Sequence, residues 1–404
     1  MGMLIADIAE LSLILVLAVL SVPTLVLLVQ VLAARMCEAG VEGADDSPGD
    51  RPRLAVLMPA HDEATGITAA IKSVLPQLAG GDRLVVVADN CTDDTAAVAR
   101  AAGARVIERH DPLRRGKGYA LDFGVRYLQA DPPEVVVIVD ADCHLHEGSL
   151  TRLSAGCAAT GRPLQALDLM RAPAGAGLKT RIGELAWIVK NHVRPLGYHR
   201  MALPCQLMGT GMAFPWALIC NAPLASREIV EDMQLGLHLA GNGAPPLFCP
   251  QALVTSMFPT EAASLLAQRT RWEHGHLGVI ATQAPRMLWR AVTQRRLSLL
   301  AMALDLCVPP LASLALLLLG TALAALALLA TTGLAGPAVL AVSLLAAFAA
   351  SVLLAWHSFG RQAVSMKELL SVPAYILAKL PIYARLIGKR QAEWVRTKRD
   401  DAAR

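Results

Sequence analysis

Two carboxylates one residue apart, Asp140 and Asp142, stand at the end of the apolar, β-branched run Val135 to Val139. That run has the pattern of a strand buried on both faces of a parallel sheet. Removing two carboxylates from water costs several kcal/mol unless a cation meets them. Ligands of open α/β sheets collect at the carboxyl ends of strands, so the pair suits a divalent cation bridging it to a diphosphate. A solvated turn would carry the same two letters, so the other polar clusters decide between the readings.

Those clusters fall at comparable places. The run Leu54 to Met58 leads into Pro59-Ala60-His61-Asp62-Glu63, and Leu84 to Ala88 leads directly into Asp89, where a base or ribose could be hydrogen-bonded. Thr92, Asp93 and Asp94 read as caps for the following helix. Arg114-Arg115-Gly116-Lys117-Gly118 precedes a helical stretch, so Lys117 serves either a phosphate or solvent. Gly209-Thr210-Gly211 is a small-residue turn that would let a sugar approach the backbone, or an ordinary turn.

Glu231 and Asp232 interrupt an apolar helical pattern. Neighbours on a helix point about 100° apart, so one would act as general base while the other braces it, unless both merely favour the helix start. Gln268, Arg271 and Trp272 share one helix face, where a guanidinium beside an indole could hold a diphosphate and offer a flat surface to a sugar. His274 and His276, two apart on that helix, diverge too far for a shared metal.

The elements that must position these groups alternate. Strand-like runs at 54–58, 84–88, 104–107 and 135–139 are separated by helical patterns at 65–78, 92–102 and 118–128, which predicts a mostly parallel, doubly wound α/β sheet. The remainder is membrane-like. Of 404 residues, 54% are hydrophobic, and the mean hydropathy of +0.46 exceeds that of a soluble domain. The surplus is concentrated in about Leu11 to Ala34, Leu300 to Ala330 and Pro337 to Trp356, each long enough to cross a bilayer at about 1.5 Å per residue. A cleaved signal peptide is disfavoured, because Asp7 and Glu10 precede the first stretch with no Lys or Arg.

Lys and Arg crowd the block from 36 to 299 and the tail beyond Arg361, which places both in the cytoplasm by the positive-inside rule. The 8 scattered cysteines form no Cys-x-x-Cys pair and suit a reducing compartment. A formal net charge of +4 gives no reason to expect nucleic acid. The expected organisation is an N-terminal membrane helix (1–35), a linker (36–52), a cytoplasmic catalytic domain (53–284), an interfacial amphipathic helix (285–299), two membrane helices (300–356) and a basic amphipathic tail (357–404).

Taken in order, the Pro-Ala-His-Asp-Glu opening, Asp89, Asp140-x-Asp142, Glu231-Asp232 and Gln268-x-x-Arg271-Trp272 resemble the membrane-embedded inverting family 2 glycosyltransferases. That group contains the cellulose, hyaluronan and poly-N-acetylglucosamine synthases and the ceramide glucosyltransferases. The resemblance covers roughly 52–280. It implies a GT-A, Rossmann-like fold and a divalent cation, Mn²⁺ or Mg²⁺. Asp89 would contact the nucleotide, with Asp62, Glu63 and Lys117 nearby. Asp140 and Asp142 would handle the metal-bound diphosphate of a UDP-sugar, with Asp142 as metal ligand.

The same likeness makes Asp232, next to Glu231, the base that deprotonates the acceptor hydroxyl. Arg271 would stabilise the leaving diphosphate, while Gln268, Trp272 and Gly209-Thr210-Gly211 would lie on the acceptor side. Pro215 and Trp216 stand where many synthases carry a basic residue, a departure that concerns acceptor contacts. The function implied is inverting sugar transfer at the cytoplasmic face of a bacterial-type inner membrane. Three spans make a thin wall for a polymer channel, which favours a lipid or lipid-linked saccharide acceptor presented by basic segments near Pro285 to Leu299 and Lys367 to Lys389. The alternative is a processive exopolysaccharide synthase with partner subunits. Phosphatases with an Asp-x-Asp nucleophile need a hydroxyl residue two places on, where Cys143 and His144 offer none.

Overall fold

The structure, a computed structural model, describes residues 2–36, 51–226 and 230–373. In chain order it opens with helix α1 (Gly2–Ala34), then β1 (Leu54–Ala60), α2 (Ile67–Val74), β2 (Arg83–Asp89), α3 (Thr95–Ala101), β3 (Arg105–Arg109), α4 (Lys117–Leu128) and β4 (Val135–Ile138). Next come β5 (His144–Leu145), α5 (Ser149–Thr160), β6 (Leu164–Arg171), α6 (Leu178–Ile188), α7 (Arg194–Arg200), β7 (Met212–Pro215) and α8 (Trp216–Ile219). The chain finishes with α9 (Glu231–Gly241), β8 (Leu247–Met257), α10 (Ala262–Thr293), α11 (Leu297–Leu306), α12 (Leu311–Thr332) and α13 (Gly336–Ala355). These elements form two compact units.

One unit is built on an eight-stranded sheet of order β3-β2-β1-β4-β7-β6-β8-β5. The first four strands are parallel, with Leu57 opposite both Val85 and Ile138. The order reverses between β1 and β4, and a crevice opens beyond the strand ends at such a point. The other half is mixed. Strand β7 runs antiparallel to β4 and β6, β5 antiparallel to β8, and only β6 and β8 are parallel.

Alternate residues of one strand face opposite cores, the consequence of a two-residue period. From β1, Leu54, Val56 and Met58 pack with Ile67, Ile71 and Leu153, whereas Ala55 and Leu57 pack with Leu121, Val125, Leu128 and Phe214. Each such side chain, fully buried, stabilises the fold by about 1.5–3 kcal/mol. That continuous burial on both faces is why β1, β2 and β4 read as apolar runs with polar residues only near their ends.

The other unit contains α1, α6, α7, α11, α12 and α13. Among the described residues, three helical stretches are long and apolar enough to cross a membrane: Asp7–Ala34, Leu311–Thr332 and Gly336–Gly360. Helix α7 lies directly against α1, because a Cβ at Gly197 would sit 2.0 Å from the Gln30 carbonyl oxygen. Several of its buried polar groups are paired with one another. Asp305 Oδ1 accepts from Gln30 Nε2 (2.7 Å) and Arg194 Nη2 (2.8 Å), and Tyr198 donates its hydroxyl to the Ala301 carbonyl (3.1 Å).

Several boundaries differ from those expected. Residues 176–201 belong with the apolar helices rather than with the sheet, because their polar side chains satisfy Gln30 and Asp305. No helix begins at 285: α10 continues through Pro285, and the break comes at Arg295, whose backbone is left-handed (φ 51). The second apolar stretch starts at Leu311 instead of 300, because Pro309 and Pro310 part it from α11. Most of the expected linker, and the basic segment Lys367 to Lys389 beyond residue 373, lie outside the described residues.

Candidate functional site

The ends of β1, β2 and β4 and the start of α4 surround an open cleft. Glu63, Asp89, Lys117, Asp140, Asp142, Gln268 and Arg271 all line it. Seven positions drawn from a span of more than 200 residues therefore meet, as parallel strands ending on one edge require.

Lys117 is the hub. Its ammonium lies 2.5 Å from Asp140 Oδ1 and donates to the Gly209 carbonyl at 2.8 Å. Burial opposes its charge, but Asp140 and then Glu231 and Asp232 outweigh that and hold it protonated, above the ordinary lysine range. Lys117 thus ties the Asp140-x-Asp142 turn to the Gly209 turn and to the acid pair.

The turn at Gly209 to Gly211 is fastened from below. Gln165, wholly buried in β6, accepts the Met208 N–H (2.8 Å) and donates to the Thr210 carbonyl (2.8 Å). Thr210 Oγ1 accepts the backbone N–H of Asp140 (3.1 Å). Gly211 has φ +63, and a Cβ there would lie 2.7 Å from Val254 Cγ2, so no other residue fits without strain.

Glu231 and Asp232 form the first turn of α9. Asp232 Oδ2 lies 3.4 Å from the point where a Cβ would stand on Gly209. Burial, then the charge of Asp232, pushes Glu231 up to about 7, with Lys117 pulling the other way. Both acids therefore interact with one ammonium, although on a helix they diverge.

Asp140, Asp142 and Cys143 each offer a ligand atom, and these atoms lie within 4.8 Å of one another. Two carboxylate oxygens are hard donors of the kind Mg²⁺ or Mn²⁺ takes, so the residues present fit a divalent cation. Burial and the nearby Asp142 and Asp140 raise the Cys143 thiol well above its ordinary range, which leaves it neutral.

Gln268 is 7% exposed, and among the described residues nothing donates to its Oε1. A buried, unpaired amide oxygen on a cleft wall is costly and suits a ligand hydroxyl. Trp272 is half-buried on the same helix and does not line the cleft. Asp62 also lies off the cleft wall: with φ 52 it turns its carboxylate to Thr92, accepting that residue's backbone N–H (2.5 Å) and hydroxyl (3.1 Å). Asp93 does similar work, accepting from the backbone of Thr95 (2.9 Å) and Ala64 (3.2 Å). His274 and His276 join no metal-capable group among the described residues. Burial, then Lys190 and Arg194, lowers His276 to about 3 and keeps it neutral.

Sequence reasoning missed Gln165, although a polar amide inside an apolar strand is a readable sign of a buried bond. Arg109, which donates to Asp89 Oδ1 at 2.6 Å, was missed too. Nothing in its neighbourhood distinguishes it from a solvent-facing arginine.

Comparison with known proteins bears on the family and the fold. The chain is 37% identical over 205 residues to an uncharacterised glycosyltransferase of Mycobacterium bovis, a match covering 47% of this chain and 88% of that one. It is 42% identical over 95 residues to the glucosyl-3-phosphoglycerate synthase of Mycolicibacterium paratuberculosis; that match spans 22% of this chain but only 28% of the synthase's length. A mannosyltransferase from Pyrobaculum calidifontis, solved with GDP-mannose and Mn²⁺, shares the fold at a TM-score of 0.55 and 19% identity, covering 95% of this chain and 99% of its own. Residues 52–275 match the family described as glycosyltransferase like family 2. With more than half of its length matched, the chain belongs to that family of sugar-transferring enzymes.

Proposed function

We propose that this chain transfers a sugar from a nucleoside diphosphate sugar, a UDP-sugar by preference, to a hydroxyl of a lipid or lipid-linked saccharide, with inversion at the anomeric carbon. The carrying observation is the convergence of Asp89, Lys117, Asp140, Asp142, Gln268 and Arg271 on one cleft, with the Glu231–Asp232 pair reached through Lys117. Asp89 takes the nucleoside. Asp142, with Asp140, would hold a divalent cation, which when bound neutralises charge growing on the departing diphosphate. Lys117 and Arg271 add fixed positive charge for the same oxygens.

Asp232 removes the proton from the attacking hydroxyl, and Glu231 tunes it as a like-charged neighbour. Attack opposite the leaving group turns an α-linked donor into a β-linked product. Three helices of membrane-spanning length support an acceptor drawn from the bilayer, and the lysine and arginine distribution supports a cytoplasmic catalytic unit at the inner membrane.

The test uses membranes containing the full chain, incubated with radiolabelled nucleotide sugars and extracted with organic solvent. Label in the organic phase supports the lipid acceptor, whereas a long aqueous polymer overturns it in favour of a processive synthase. Asp232→Asn should lower transfer by roughly a hundred-fold or more with nucleotide binding kept. Asp142→Asn should remove the cation dependence of nucleotide binding. Ordinary turnover by Asp232→Asn would refute the assigned base.

A further inference from the structure

Asp89 is held in a ring of four residues. Its Oδ1 accepts from Arg109 Nη1 at 2.6 Å and from Asn90 Nδ2 at 2.9 Å. Arg109 Nη2 continues to Asp111 Oδ2 at 3.3 Å, and the backbone N–H of Asp111 returns to Asn90 Oδ1 at 2.8 Å. Asn90 itself is left-handed (φ 51) and donates its backbone N–H to the Arg109 carbonyl at 2.7 Å. The Arg109 guanidinium sits 5.6 Å from the Tyr119 ring centroid. Both ion-pair partners are almost enclosed, with side chains 10% and 8% exposed.

The consequence is an asymmetric carboxylate. Two donors engage both lone pairs of Oδ1. Among the described residues nothing donates to Oδ2, and Asp89 lines the cleft. Arg109 does not line it, so any effect on a ligand passes through Asp89.

We infer that Arg109 is a positioning residue that, by occupying Oδ1, makes Asp89 a single hydrogen-bond acceptor and so selects a nucleoside diphosphate bearing uracil over one bearing guanine. The inference rests on the nucleotide-sugar reading of the cleft. Uracil offers one ring N–H between two carbonyls, which matches one oxygen. Guanine offers an adjacent ring N–H and amino N–H, which match a carboxylate with both oxygens available. Adenine and cytosine place a ring nitrogen lone pair beside their amino group, and that lone pair faces a carboxylate unfavourably. A site built around one donor rejects ligands whose polar groups it leaves unpaired.

The experiment is isothermal titration of the detergent-purified full chain with UDP and with GDP, in Mn²⁺, for the wild type, Arg109→Met, Arg109→Lys and Asp89→Asn. The wild type binds UDP more tightly than GDP. Arg109→Met weakens UDP by roughly ten-fold and narrows the UDP-to-GDP ratio, because Asp89 regains both oxygens and loses its fixed orientation. Arg109→Lys, which keeps the charge without the planar fork, gives an intermediate ratio. A purely structural Arg109 would lower the melting temperature with the ratio unchanged, so a wild-type ratio in both Arg109 variants overturns the inference, as does a wild type that prefers GDP. If Asp89→Asn binds UDP as the wild type does, the nucleoside contact itself is wrong. If Asp89→Asn loses affinity and the Arg109 variants do not, only the positioning role fails.

Discussion

Replacing Glu231 by Gln should make the protein more stable at alkaline pH and leave it nearly unchanged in acid. Burial and the adjacent Asp232 move the Glu231 carboxyl from its ordinary 4.5 to about 7. Between those values the folded chain keeps a proton that the unfolded chain has released. Stability therefore falls as pH rises through that window, and the loss is complete above about 7. At about 1.4 kcal/mol per pH unit the loss is about 3 kcal/mol. Glutamine is neutral at every pH and escapes it.

Scanning fluorimetry of the detergent-solubilised full chain, without nucleotide, reads the difference. For a unit of this size about 3 kcal/mol corresponds to roughly 6–12 °C. The variant should melt higher by that margin at about pH 8.5 and close to the wild type at about pH 5. An equal melting gap at both pH values would refute the raised Glu231 carboxyl.

Gly197→Ala would drive a methyl group into the Gln30 carbonyl and should cost about 3 kcal/mol or more; normal yield and melting of the full chain would show that α7 and α1 are packed otherwise. Asp305→Asn leaves the buried Arg194 guanidinium without its counter-charge and should destabilise by about 3–5 kcal/mol in the same melting assay. Gln165→Leu orphans the Met208 N–H and the Thr210 carbonyl. It should cost about 2 kcal/mol and lower kcat by roughly a hundred-fold through a displaced turn, with the KM for donor little changed.

The strands that stand out most plainly in the sequence, β1, β2 and β4, are those buried on both faces. Val135 to Ile138 and Leu84 to Ala88 carry no polar residue, so each strand and the acid ending it stand out. Strands β5 to β8 are hidden for reasons visible in their residues. Gln165 and Asp168 interrupt β6, Pro250 lies inside β8, a register shift parts Ala166 from Leu167, and β5 has two residues. Residues 176–201 look like part of the sheet unit because they are polar enough. Arg194 instead pairs with Gln30 and Asp305, more than a hundred positions away. Asp62 shows the opposite limit: its chemistry suits a ligand, yet its left-handed backbone aims it at Thr92.

The position of Lys117 explains how so many acids can stand together. One ammonium faces Asp140, Glu231 and Asp232, which leaves an excess of negative charge. The chain meets that excess by keeping a proton on Glu231 up to about pH 7. A guanidinium could supply the charge but not the geometry, because the compact Nζ must reach Asp140 Oδ1 and the Gly209 carbonyl together. The lysine therefore fixes the distance between the two turns as well as balancing them. The first helical turn of α4 is where such a side chain has to start, since Gly116 precedes it at φ +129 and turns the chain from the exposed arginine loop into the cleft.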